Sequence, residues 1–151
     1  MDHSIQAGDL FLNGCNCAQA VLVAFCDVTG LEPELAKKLS SGFGGGLGRL
    51  REVCGAVSGM VMAADLLYGY TDPGEGDAMK KAHYTLVQEL CEKFREETGS
   101  IICRELLDNP ASDPTPSPRT AEYYAQRPCA RMVMTAASVL DDYIAEHPIV
   151  R

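Results

Sequence analysis

The chain has 151 residues, enough for one compact domain with a core that needs no covalent staples. Its formal net charge of −8 argues against nucleic acid or an anionic membrane as the main partner, since both require a basic face. At 46% hydrophobic and 23% charged it has globular composition, and an odd count of 7 cysteines cannot all pair within one chain. In chain order, helical spacing begins with a short helix from Ser4 to Leu12. Asn16 caps a second helix bearing Val21, Ala24, Phe25 and Val28 and stopped by Gly30. Pro33 opens a third, with Leu35, Ala36 and Leu39 as its apolar side. After the glycine loop GFGGGLG, residues 42–48, a fourth helix from about Glu52 to Tyr68 is apolar nearly all round and reads as the buried centre.

A turn at 71–77 leads to a long helix from Asp77 to Thr98, whose stripe is Met79, His83, Leu86, Val87, Leu90, Cys91 and Phe94. A short helix follows Ser100. Residues 108–118 carry four of the eight prolines and form an extended connector that wraps the body or a partner subunit. The last helix runs from Pro128 to about Glu146, with Cys129, Met132, Val133, Ala136, Leu140 and Tyr143 facing inward. The expected fold is all-α, a compact single-domain bundle of about six to eight helices spanning residues 1–151 around a buried central helix. The start of the chain has no secretory pattern and no segment is long enough to cross a bilayer, so a cytoplasmic location without membrane insertion is expected. Cysteines there stay reduced unless they bind metal or do redox work.

Four cysteines fall in the first turn of an expected helix: Cys17 after Asn16, Cys54 after the glycine loop, Cys103 after Ser100, and Cys129 after Pro128. Unpaired N–H groups and the positive end of the helix dipole favour thiolate, the form that attacks, oxidises or binds metal. Arg49, Arg51, Arg104, Arg127 and Arg131 lie close in sequence and would act the same way if they point inward. Cys26 and Cys91 read as buried small hydrophobes, and Cys15 is left open. The gaps of 37, 49 and 26 residues between the four fit no zinc finger and contain no C-x-x-C, so folding itself must bring the sulfurs together. Four sulfurs suit an iron–sulfur cluster or tetrahedral zinc; two pairs suit reversible disulfides.

The glycine loop fails both the dinucleotide and the P-loop patterns, because Leu47 replaces the third glycine of the former and Gly48-Arg49-Leu50 lacks the lysine of the latter. Gly44, Gly45, Gly46 and Gly55 read instead as backbone passing close to a cofactor or thiol site near Cys54. Gly55, Gly59 and Ala63 make a small-residue face for close packing within the chain or across a homodimer. His83 reads as a core histidine, and His3 and His147 suggest nothing.

Three runs then stand in order: Asn16-Cys17-Ala18-Gln19-Ala20-Val21, the loop from Ser41 to Arg49, and Cys54-Gly55-Ala56-Val57-Ser58-Gly59, with Cys103 and Cys129 beyond. From about Gly14 to Ala137 this resembles the C_GCAxxG_C_C family of redox-active proteins. The resemblance implies that Cys17, Cys54, Cys103 and Cys129 are the characteristic cysteines, with redox activity at that set. It implies association with transporter genes, and, through related split-Soret cytochromes, a scaffold able to host an iron–sulfur cluster and to dimerise. The haem attachment signature is missing here, so haem is not implied. Competing with the redox or metal–thiolate reading are a non-catalytic helical dimer with mainly structural cysteines and, ranked last, a small-ligand carrier using the glycine loop.

Overall fold

In a computed structural model, residues 2–72, 74, 76–108 and 110–149 are described, so residues 73 and 75 of the expected turn and 109 of the connector lie outside the described residues. The described residues are all-α: α1 (His3–Leu12), α2 (Cys17–Ala24), α3 (Cys26–Thr29), α4 (Pro33–Ser40), α5 (Gly55–Tyr68), α6 (Asp77–Thr98), α7 (Cys103–Leu106), α8 (Ala121–Gln126) and α9 (Cys129–Glu146). Among these residues no helix is long and apolar enough to cross a membrane.

The centre is α2 laid against α5, flanked by α1 and α9. Both central helices are apolar on nearly every side, and Ala18, Val21, Leu22, Ala56, Met60 and Ala63 are wholly buried. The small-residue face of α5 settles against α2 in the same chain. A Cβ added at Gly59 would lie 2.6 Å from the Ala18 carbonyl oxygen, and one at Gly55 would lie 3.2 Å from the Cys17 Cβ. This approach sets Cys17, at the start of α2, beside the start of α5.

The structure departs from the sequence reading in four places. The second expected helix divides at Phe25 into α2 and the one-turn α3, with Phe25 buried and its ring stacked 4.2 Å from that of His3. His3 is itself buried, one ring nitrogen 2.5 Å from Asp141 and the other 2.9 Å from Asp27, so it ties α1 to α9 and α3 rather than idling near the terminus. Leu35 and Leu39 are exposed; α4 turns Ala36 and Ser40 inward instead. Finally, α5 begins at Gly55 and not at Glu52, because the backbone before it is committed elsewhere. Val53 forms an antiparallel bridge with Ile102, the Cys54 N–H donates to the Ile101 carbonyl at 2.7 Å, and the Cys103 N–H donates to Glu52 at 2.6 Å.

The α2–α5 contact is tight enough to test. Gly59→Ala adds a methyl group where the Ala18 backbone stands, so the two helices must part. Although alanine favours a helix by about 1 kcal/mol over glycine, overpacking costs about 1–3 kcal/mol. A net loss of stability in urea unfolding is the expected outcome.

Candidate functional site

Four separate helix starts deliver Cys17, Cys54, Cys103 and Cys129 to the lining of one cavity of about 70 Å³, shared with Gly45, Gly46, Gly55, Arg51, Arg119, Tyr123 and Arg127. The local chemistry that places each cysteine differs. Cys17 is the first residue of α2, behind a capping box in which the Asn16 side chain accepts from the Gln19 N–H at 2.9 Å and Gln19 accepts from the Asn16 N–H at 3.0 Å. Cys54 occupies the N-cap of α5, its sulfur facing the Ala56 and Val57 N–H groups. Cys103 opens the single turn α7, and Cys129 opens α9 after Pro128.

Cys54 and Cys103 are held together by the glycine loop. Gly46 sits at φ +73°, and a Cβ there would fall 2.7 Å from the Cys103 Cβ and 2.7 Å from the Glu52 nitrogen. Only glycine both adopts that backbone and leaves that space. Leu47, Arg49 and Arg51 also take positive φ, at 72°, 67° and 63°. Each costs of order 1 kcal/mol, and the loop is held in this shape by bonds such as Glu52 N–H to Gly46 at 2.8 Å. Gly45 and Gly46 thus line the cavity as expected, whereas Gly44 packs on the Asn16 side chain and stands outside the lining.

The arginines divide into two groups. Arg49 does not serve the cysteines: its Nε donates to Asp113 O at 2.8 Å and its Nη1 to Ser117 Oγ at 3.2 Å, pinning the proline-rich connector onto the chain's own body. Arg104 pairs with Glu52 on the surface at 3.1 Å, and Arg131 stands outside the lining. Arg51 and Arg127 face inward. The Arg51 Nη1 lies 3.7 Å from the Cys103 sulfur and its Nε donates to Ala111 O at 2.9 Å, again holding the connector. Arg119 completes the group, donating to the carbonyls of Phe11 at 3.1 Å and Cys15 at 3.2 Å beneath the Tyr123 and Tyr124 rings. Sequence reasoning missed Arg119 because it lies ten residues before the nearest site cysteine, and only its stacking on Tyr123 carries it back.

Helix placement alone does not ionise these thiols, which corrects the expectation for three of the four. Burial is the first cause that raises Cys54, to about 12, ahead of the opposing Ala56 and Val57 N–H groups. Burial likewise raises Cys103 despite Arg51, and α7 is a single turn with little dipole to offer. Cys17 is raised well above its ordinary value by its hydrogen-bonding interaction with Cys129, then by burial and the neighbouring sulfurs. Cys129 alone is lowered, to about 7: the Cys17 thiol bonds to it, and Arg127, Arg119 and Arg51 add attraction that outweighs burial. Of the four, Cys129 is therefore shifted toward the thiolate, and Cys17, Cys54 and Cys103 toward the neutral thiol.

All seven cysteines are free; Cys17 and Cys129 are partly exposed, while Cys54 and Cys103 are buried. Cys26 donates to Leu22 O at 3.7 Å and Cys91 borders the core, in keeping with their packing roles. Cys15 contributes only its carbonyl to Arg119. His83 meets Asp65 at 2.6 Å on α5 and has no part in the cavity. Among the described residues, no three His, Cys, Asp or Glu side chains stand close enough together to hold a metal ion.

A comparison with protein families matches residues 15–143 to the family described as "Putative redox-active protein (C_GCAxxG_C_C)", and the chain belongs to that family. No curated protein matches the chain. No solved structure matches it either.

Cys54 carries a pH signature. In the unfolded chain its thiol ionises near 9.0, but in the fold only near 12. Above pH 9 the unfolded state binds fewer protons, so stability falls with rising pH by about 1.4 kcal/mol per unit for this thiol. Cys54→Ser removes that contribution, and a denaturation series from pH 8 to 10 should show a shallower alkaline loss than in the parent.

Proposed function

We propose that this protein is a thiol–disulfide redox protein whose working pair is Cys129 and Cys17. The observation that carries the reading is that Cys17 and Cys129, at the starts of α2 and α9, line one cavity beside Arg51, Arg119 and Arg127; in keeping with it, the Cys129 thiol is lowered to about 7 and Cys17 is raised. A thiol ionised near ambient pH is the best attacking group in exchange, and a protonated neighbour is suited to resolve the product.

The reaction balances as follows. The Cys129 thiolate attacks one sulfur of an incoming disulfide, and the S–S bond breaks to release one thiolate. Cys17 then gives its proton to that leaving group and attacks the Cys129 sulfur, releasing the second half of the substrate. The protein has lost two electrons and formed a Cys17–Cys129 disulfide; the substrate has gained two electrons and leaves as one thiol and one thiolate, the latter taking its proton from water. Both cysteines are free in the reduced state, so closure draws the starts of α2 and α9 together to the ~2.05 Å of an S–S bond. Cys54 and Cys103, neutral and buried, set the charge and shape of the site's floor.

An iron–sulfur cluster or zinc is the other chemistry that four sulfurs suggest, and the donor types suit either. Among the described residues no three such donors stand close enough together to hold a metal ion, so this reading is placed second. No step is assigned to a metal. A cytoplasmic setting is proposed on the sequence, a homodimer on the small-residue face read in the sequence of α5 and on the family resemblance, and a transporter-associated or other redox partner on the resemblance alone.

Oxidation of the reduced protein with a small disulfide, followed by peptide mapping, tests the reading. A Cys17–Cys129 disulfide should form in the parent and in Cys54→Ser and Cys103→Ser, and should be absent in Cys129→Ser. A different pairing, or stoichiometric iron or zinc in protein purified without oxygen, would overturn it.

A further inference from the structure

The lining of the four-cysteine cavity contains Arg51, Arg119 and Arg127 and not one aspartate or glutamate, although the chain as a whole carries a net charge of −8. Among the described residues none of the three arginines has a carboxylate partner. Arg119 donates to the carbonyls of Phe11 and Cys15 and to the Tyr124 hydroxyl, and Arg127 reaches Ser117 Oγ at 3.5 Å. Arg51 is the most exposing of the chemistry because it is the least exposed in space: it is 4% accessible, and its Nη2 is buried with no hydrogen-bond partner at all. A buried guanidinium nitrogen without an acceptor costs about 1–3 kcal/mol, more for a charged group. The Arg51 residue lines a cavity of about 70 Å³, room for several water-sized groups and so for a carboxylate or small oxoanion, since about 10–15 Å³ of such space holds one water.

We propose that this cavity is an anion site beside Cys129, and that the disulfide reduced there is a small molecule bearing a carboxylate close to its sulfur. The inference rests on the thiol–disulfide reading and adds the substrate's charge. Guanidinium forks match carboxylates with paired, charge-assisted hydrogen bonds. Arg51 on the loop and Arg127 before α9, both in the cavity lining, would hold the head group. The substrate sulfur is thereby set against the Cys129 thiolate, and the exchange proceeds as written above. The protein's overall charge repels such a substrate at a distance, so any preference for it must come from this cavity.

The test is a charge series on the full reduced chain: dithiodiglycolate as the anionic disulfide, hydroxyethyl disulfide as the neutral one and cystamine as the cationic one. The anionic probe should react at least about tenfold faster than the neutral one and the cationic probe slowest of all, a difference of roughly one decade in selectivity. Arg127→Gln and Arg51→Gln should collapse the anionic-to-neutral ratio toward one. The ratio is the readout, because losing either arginine also weakens ionisation of Cys129 and slows every probe alike. Arg127→Gln guards against misfolding of the Arg51 variant, which loses a bond to the connector. Inorganic phosphate should slow only the anionic probe and only in the parent; inhibition by phosphate with no preference among the disulfides would mean an inorganic anion is the ligand and would overturn the substrate assignment. Equal rates with all three probes would overturn the anion site while leaving the dithiol reading intact. Failure of every probe to oxidise Cys17 and Cys129 would instead overturn the dithiol reading.

Discussion

The interaction between the Cys17 and Cys129 thiols organises the site: it is the first cause both of the rise at Cys17 and of the fall at Cys129. Burial alone would raise both thiols, as it raises Cys54 and Cys103. Moving Cys129 from 9.0 to about 7 corresponds to roughly 3 kcal/mol of preference for the thiolate. The Cys17 thiol and three arginines supply it against the cost of burial, so removing either contribution should raise the Cys129 thiol.

That pairing depends on backbone packing some distance away. The closeness of α2 and α5, permitted by Gly55 and Gly59, places Cys17 over the start of α5. The bridge between Val53 and Ile102 and the hydrogen bonds beside it fix Cys54 and Cys103 to one another across 49 residues of chain. Gly46 allows the loop to pass against Cys103. The proline-rich connector is then drawn over the loop by Arg49 and Arg51, and Arg119 and Arg127 follow it into place. The arginines thus act twice, holding the connector and setting the charge around the sulfurs.

Much of this was legible in the residues. Helical spacing located α1, α4, α6 and α9 to within a residue or two, and the first-turn positions of Cys17, Cys54, Cys103 and Cys129 marked the cysteines that share a cavity. What could not be read arises from contacts distant in sequence. The start of α5 yields three residues to a bridge with 101–103, and α2 breaks where Phe25 stacks on His3. Leu35 and Leu39 face outward because α4 covers the body with Ala36 and Ser40, a choice that helical period alone leaves open. The thiol ionisation was misjudged for a physical reason: a helix start contributes a few tenths to about 1 kcal/mol, and burial of a sulfur exceeds it.

The pH dependence of Cys129 alkylation by iodoacetamide, followed by mass spectrometry, addresses the coupling of Cys17 and Cys129 most directly. The rate should rise with a midpoint near 7 in the parent, and the midpoint should move upward in Cys17→Ala, where no neighbouring thiol remains to bond the sulfur. A parent midpoint near 9, or the same midpoint with and without Cys17, would contradict the account.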